Sequence, residues 1–121
     1  MVERKPFEVE RRNGIGIVRF LDSIEIYEAA QIRSEILQWV SDSDIRGVIF
    51  SFADVPYIDS SGVGVFVNLH RQLERRVPLR FCHVSDTVQD VLRYTRLVSL
   101  FAIDETEAES IARIDEHIER D

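Results

Sequence analysis

The chain has 121 residues, 45% hydrophobic and 31% charged, enough for one continuous core and too few for two. Its formal net charge of −7 disfavours a general nucleic-acid surface, which needs clustered Lys and Arg to neutralise phosphates, and better suits a basic partner surface. A single cysteine, Cys82, excludes an internal disulfide, and no apolar run reaches the length of a membrane span.

Met1–Pro6 lacks the apolar core of a signal peptide, so a cytoplasmic protein without direct membrane insertion is expected. No repeat or Pro/Gly-rich linker divides the sequence, and residues 1–121 read as one domain. Phe7–Arg11 and Ile15–Leu21 read as strands around Asn13-Gly14, a pair that tolerates the positive φ of a tight hairpin. Ala29, Ile32, Ile36 and Val40 recur at helical spacing until Ser41-Asp42-Ser43-Asp44 breaks the pattern. Val48–Phe52 is a strand rich in apolar residues, as expected when both faces are covered.

A second helix is expected from Ser60 to about Arg76, with Val63, Phe66, Val67, His70 and Leu73 sharing a face. Leu79–Val84 follows as a strand, then a helix over Asp86–Thr95, and a brief strand around Leu100–Ile103. A last helix starts near Glu107, where Thr106 and Glu109 have capping-box spacing and Ile111, Ile114 and Ile118 form the inner stripe. The order β-β-α-β-α-β-α-β-α predicts an α/β domain with a mixed, largely parallel sheet and helices packed against it.

The chemistry concentrates between the third strand and the second helix, in Asp54-Val55-Pro56-Tyr57-Ile58-Asp59-Ser60-Ser61-Gly62-Val63-Gly64. Asp59, Ser60 and Ser61 are all good N-caps, because their side-chain oxygens accept the first-turn N–H groups that have no helical partner. The bland reading is a helix start with two packing glycines. The sharper reading is an exposed mouth at which another protein can reach a serine hydroxyl.

Asp59-Ser60-Ser61-Gly62-Val63-Gly64, preceded by an apolar strand and Asp54–Ile58, resembles the anti-sigma factor antagonists of the STAS family. The likeness extends through Ile45–Phe50, Val84–Leu92 and Thr95-Arg96-Leu97. It implies a phosphorylation-controlled binding switch. The unmodified protein would bind an anti-sigma factor that is also a GHKL-type serine kinase, and so release a sigma factor. Phosphorylation by that kinase would break the complex, and a PP2C-type phosphatase would reset it. Ser60 is then the phosphoacceptor, with Ser61 second. Partner contact is expected at Asp22, Ser23 and Glu25 in the loop after the second strand, and at Asp59, Ser60, Ser61, Gly62, Val63 and Gly64. No cofactor is implied, since ATP would belong to the kinase.

Two positions depart from the family pattern. Asp22 stands where glycine is usual, with Glu25 near the usual aspartate. Arg96 replaces a glycine that commonly ends a helix in the left-handed conformation, leaving its side chain either to the helix C-terminus or to a partner. Arg71, Arg75 and Arg76 form a basic edge that is either solvated or a patch for an acidic partner. His70, His83 and His117 have no metal-ligand spacing, Cys82 reads as a buried thiol, and no activating base is evident for Ser60. An enzyme is therefore not expected. Alternatives are a STAS scaffold or regulatory subunit of a stress-sensing or transporter-associated complex, and a receiver-like acceptor at Asp54.

Overall fold

Asn13 and Gly14 take φ of 51° and 82° and turn the chain between β1 (Phe7–Arg12) and β2 (Ile15–Phe20), the hairpin expected from the Asn-Gly pair. The computed structural model describes residues 6–23, 26–42 and 44–120. After α1 (Ile26–Asp42), β3 (Gly47–Ser51) pairs parallel with β2. Then come α2 (Ser60–Leu73), β4 (Leu79–Cys82), α3 (Asp86–Tyr94), β5 (Ile103–Asp104) and α4 (Glu107–Arg120). The strands lie in chain order, β1-β2-β3-β4-β5, with only β1 antiparallel to its neighbour.

Alternation divides each strand between two cores. Val18, Phe20, Val48, Phe50, Leu79 and Phe81 point to the side covered by α1, α2 and α3. There Phe20, Phe50, Phe66 and Phe81 meet largely edge-to-face, with Phe20 and Phe66 centroids 5.1 Å apart. Ile15, Ile17, Ile49 and Cys82 point the other way and pack on Ile114 of α4. Gly47 lets α4 come close, because a Cβ there would lie 2.5 Å from Ile114 Cγ2. On the opposite face, Gly16 leaves room for Ile45 and Trp39, each within 3 Å of where its Cβ would be.

Several boundaries differ from the sequence reading. Ser41 and Asp42 still belong to α1, while Ser43 lies outside the described residues. The second helix ends at Leu73, with Glu74 as its cap, rather than near Arg76. The fourth strand stops at Cys82 because His83 adopts φ 54°, a left-handed conformation that cannot extend a strand. The last strand is Ile103–Asp104, and Leu100 is an exposed turn residue. Within α2, Val65 and Leu69 are buried as well as the predicted face, whereas Val67 is half-buried.

Arg96 has φ 60°, and the N–H groups of Arg96 and Leu97 donate to the carbonyls of Arg93 and Leu92 at the end of α3. This is a Schellman closure built by the backbone, with no hydrogen bond or ion pair from the guanidinium among the described residues. A non-glycine residue there carries a left-handed penalty. Arg96→Gly is expected to raise stability by about 0.5–1 kcal/mol, after glycine's larger unfolded-state entropy is counted. Thermal unfolding should show a midpoint a few degrees higher, and an unchanged or lower midpoint would refute the strain.

Candidate functional site

Because β2 through β5 run in one direction, every loop that follows one of these strands emerges at the same edge of the sheet. The Asp22-Ser23 turn after β2 and the Phe52–Asp59 connection after β3 are therefore neighbours. The second loop is anchored by its apolar residues. Val55 and Ile58 are buried, and Val55 N–H donates to the Phe52 carbonyl at 3.0 Å. Between these anchors Ala53, Asp54, Pro56 and Tyr57 face solvent.

Asp59 then starts α2. Its extended backbone (φ −96°, ψ −179°) turns the carboxylate over the first turn, where Oδ1 accepts the Gly62 N–H at 2.8 Å. The Asp59 carbonyl accepts from Val63 N–H at 2.9 Å. Ser60 is the first helical residue, exposed, and its hydroxyl makes no hydrogen bond among the described residues. The backbone N–H groups of Ser60 and Ser61 precede any intrahelical acceptor and point out of the helix mouth. Such a mouth favours an anion through its dipole as well as its donors.

The other predicted contact residues are distributed unevenly. Asp22 is exposed, its Oδ1 accepts the Ser23 N–H at 2.7 Å, and its own φ is not positive. Ser23 is half-buried beside it. Glu25 lies outside the described residues, as does the side chain of Ser61. Gly62 and Val63 are buried within the first turn. Gly64 is exposed and a Cβ there would meet nothing within 4 Å, so close packing does not require this glycine. Tyr57, 52% exposed in the middle of the loop, was not among the expected contacts. An aromatic flanked by buried Val55 and Ile58 was the available signal. Asp54 lies in a turn beyond the end of β3, and the antiparallel hairpin at the sheet edge does not fit the receiver-like alternative.

On the opposite face lies an arrangement the sequence reading missed. Arg19, Ser51, Cys82 and Asp104 are direct partners across four strands, forming one polar row beneath α4. Arg19 donates twice to Glu107, both at 2.9 Å, and reaches Glu10 at 2.9 Å. Arg80 donates twice to Asp104, at 2.6 and 3.0 Å, while Ser110 Oγ donates to it at 2.7 Å and Arg113 pairs at 3.1 Å. Burial alone would raise the Asp104 pKa, but the bonds from Arg80 and Ser110 outweigh it and hold the carboxyl below its ordinary range. Hydrogen bonds from Arg19 lower Glu107 likewise. Burial pushes the Cys82 thiol up to about 11, which makes it an inert core thiol, as expected. The row fastens α4 to the sheet.

A mixed five-stranded sheet flanked by helices on both faces, with an exposed serine at a helix mouth beside the strand-end loops, defines the class: a single α/β domain. Residues 6–110 match the STAS domain model, and the chain belongs to the STAS domain family. It resembles the anti-sigma factor antagonist SpoIIAA in its unphosphorylated form, with 25% identity and a TM-score of 0.76 over 91% of this chain and 96% of that one. The phosphorylated form of the Bacillus cell-fate determinant SpoIIAA matches at 24% identity and a TM-score of 0.67, over 89% and 98% of the two chains. RsbS of Moorella thermoacetica, carrying a serine-to-glutamate substitution, shares the fold with 12% identity and a TM-score of 0.82 over 95% and 99%. None of the helices among the described residues is long and apolar enough to cross a membrane.

Proposed function

We propose that this chain is an anti-sigma factor antagonist that acts by binding and is switched by phosphorylation of Ser60. The observation that carries the reading is the exposed, unbonded Ser60 hydroxyl at the mouth of α2, beside an Asp59 that leaves two first-turn N–H groups open. In this reading the exposed hydroxyl receives a phosphoryl group from the partner's ATP. The partner in this reading is a GHKL-type serine kinase that is itself the anti-sigma factor, which consumes the ATP, and a PP2C-type phosphatase restores the serine. The likeness to SpoIIAA, solved in both unphosphorylated and phosphorylated forms, supports it.

The phosphate would add about −1.5 to −2 charges at this mouth. Inside the domain the free N–H groups and the helix dipole offset them. Across a dry interface they cost desolvation and repel partner carboxylates and nucleotide phosphates. Incubation with the partner kinase and ATP should place one phosphate on the peptide containing Ser60, and Ser60→Ala should abolish it. Phosphate found only outside Ser60 and Ser61 would sink the proposal.

A further inference from the structure

The edge of the sheet opposite Ser60 carries cations without counter-ions. Arg12, Arg19, Arg80, Arg93 and Arg113 each pair with a carboxylate. Arg46 and Arg75 pair with none among the described residues, and Arg76 donates only to Ser41 Oγ, at 2.7 Å. Arg11, Arg33, Arg71 and Arg96 likewise have no carboxylate partner among the described residues, so what sets this surface apart is the clustering of three such arginines. Arg46, Arg75 and Arg76 line one open groove of about 390 Å³, floored by Ile45, Val77 and Ile118. Its one acid among the described residues, Glu74, has its carboxylate 3.4 Å from His70 Nε2. The Arg46 stem lies along the hairpin turn, 3.3 Å from where a Cβ of Gly14 would be, which steadies its head at the rim.

We propose that this groove docks an acidic segment of a partner protein, with carboxylates on Arg46, Arg75 and Arg76 and an apolar side chain on the floor between them. Charge complementarity sets the sign of the partner, since guanidinium forks bind carboxylates in pairs. The apolar floor selects a peptide that mixes acidic and aliphatic residues over a bare anion. The groove lies at the far edge from Ser60, so its occupancy is independent of the phosphorylation proposed there.

The test is fluorescence anisotropy of a labelled peptide alternating glutamate with leucine, with amide chemical-shift mapping of the full chain. Saturable binding is expected, with shifts at Arg46, Arg75, Val77 and Ile118 and an affinity that falls as salt rises. Arg46→Glu with Arg75→Glu should weaken it at least about tenfold. The milder Arg46→Gln with Arg75→Gln keeps the test open if charge reversal perturbs folding. Ser60→Asp should bind the peptide like the wild type, which separates this site from the switch. Shifts confined to other surfaces, equal binding by both double variants, or equal displacement by all-glutamate peptide, inorganic phosphate or single-stranded DNA would each overturn the proposal.

Discussion

Ser60→Asp is expected to weaken binding to the partner kinase by about 30-fold or more, and full phosphorylation by at least about 100-fold. Ser60→Ala should bind within about threefold of the wild type, because the exposed hydroxyl makes no internal bond to lose. The asymmetry follows from the mouth of α2. Asp59 already places one carboxylate there, and it uses the Gly62 N–H. An aspartate at Ser60 adds a second charge, which the first-turn donors can satisfy only while water surrounds it. Docking removes that water. Titration calorimetry with purified partner and the four forms of the chain gives the comparison directly. Equal affinities for the wild type and phosphorylated forms would remove the switch, whatever residue carries the phosphate.

Asp104→Ala is expected to cost about 3 kcal/mol, because part-buried Arg80, buried Ser110 and exposed Arg113 all lose the same buried carboxylate. Out of a total stability of about 5–15 kcal/mol, that loss lowers the melting midpoint by more than about 10 °C. Arg80 and Ser110 would each lose their acceptor, and α4 would lose its fastening to β5. Asp104→Asn retains an oxygen for Ser110 and should cost less. The acid limb follows from the same contacts. Asp104 and Glu107 both have folded pKa values below their unfolded ones, so their contribution is complete above the unfolded pKa near 4. It is lost as the pH falls through the lower folded values. Urea unfolding from pH 7 downwards should therefore show a drop below about pH 4 that Asp104→Asn blunts. An identical pH profile in the variant would show that Asp104 does not titrate in this way.

What the sequence conveyed depended on how locally each feature is encoded. Asn13-Gly14 specifies its own turn, and Asp59 specifies its own cap, so the hairpin and the mouth of α2 were legible from neighbouring residues. Thr106 similarly caps α4, accepting from Glu109 N–H at 3.1 Å, while Glu109 reaches back to Glu105 N–H at 3.0 Å. The last strand was misplaced because hydropathy drew it toward Leu100, whereas Asp104 is buried by ion pairs that hydropathy does not register. The polar row was hidden for the same reason. Arg19, Ser51, Cys82 and Asp104 become neighbours only once the strands are in register. The basic groove joins Arg46, before β3, to Arg75 and Arg76, after α2, and no sequence window holds both ends. The break after Cys82 was likewise unreadable, since nothing in His83 by its residue type demands φ 54°.

The packing of Trp39 with Ile45 over Gly16 gives the chain a built-in optical asymmetry. It is the only tryptophan, and it sits near the end of α1, on the same face of the sheet as α2 but at the opposite end of the strands from Ser60. Its emission should therefore stay silent when the serine is modified. It should respond when a ligand presses on Ile45 from the basic groove. One unlabelled protein thus separates events at its two poles: mass reports the phosphate, and colour reports the peptide.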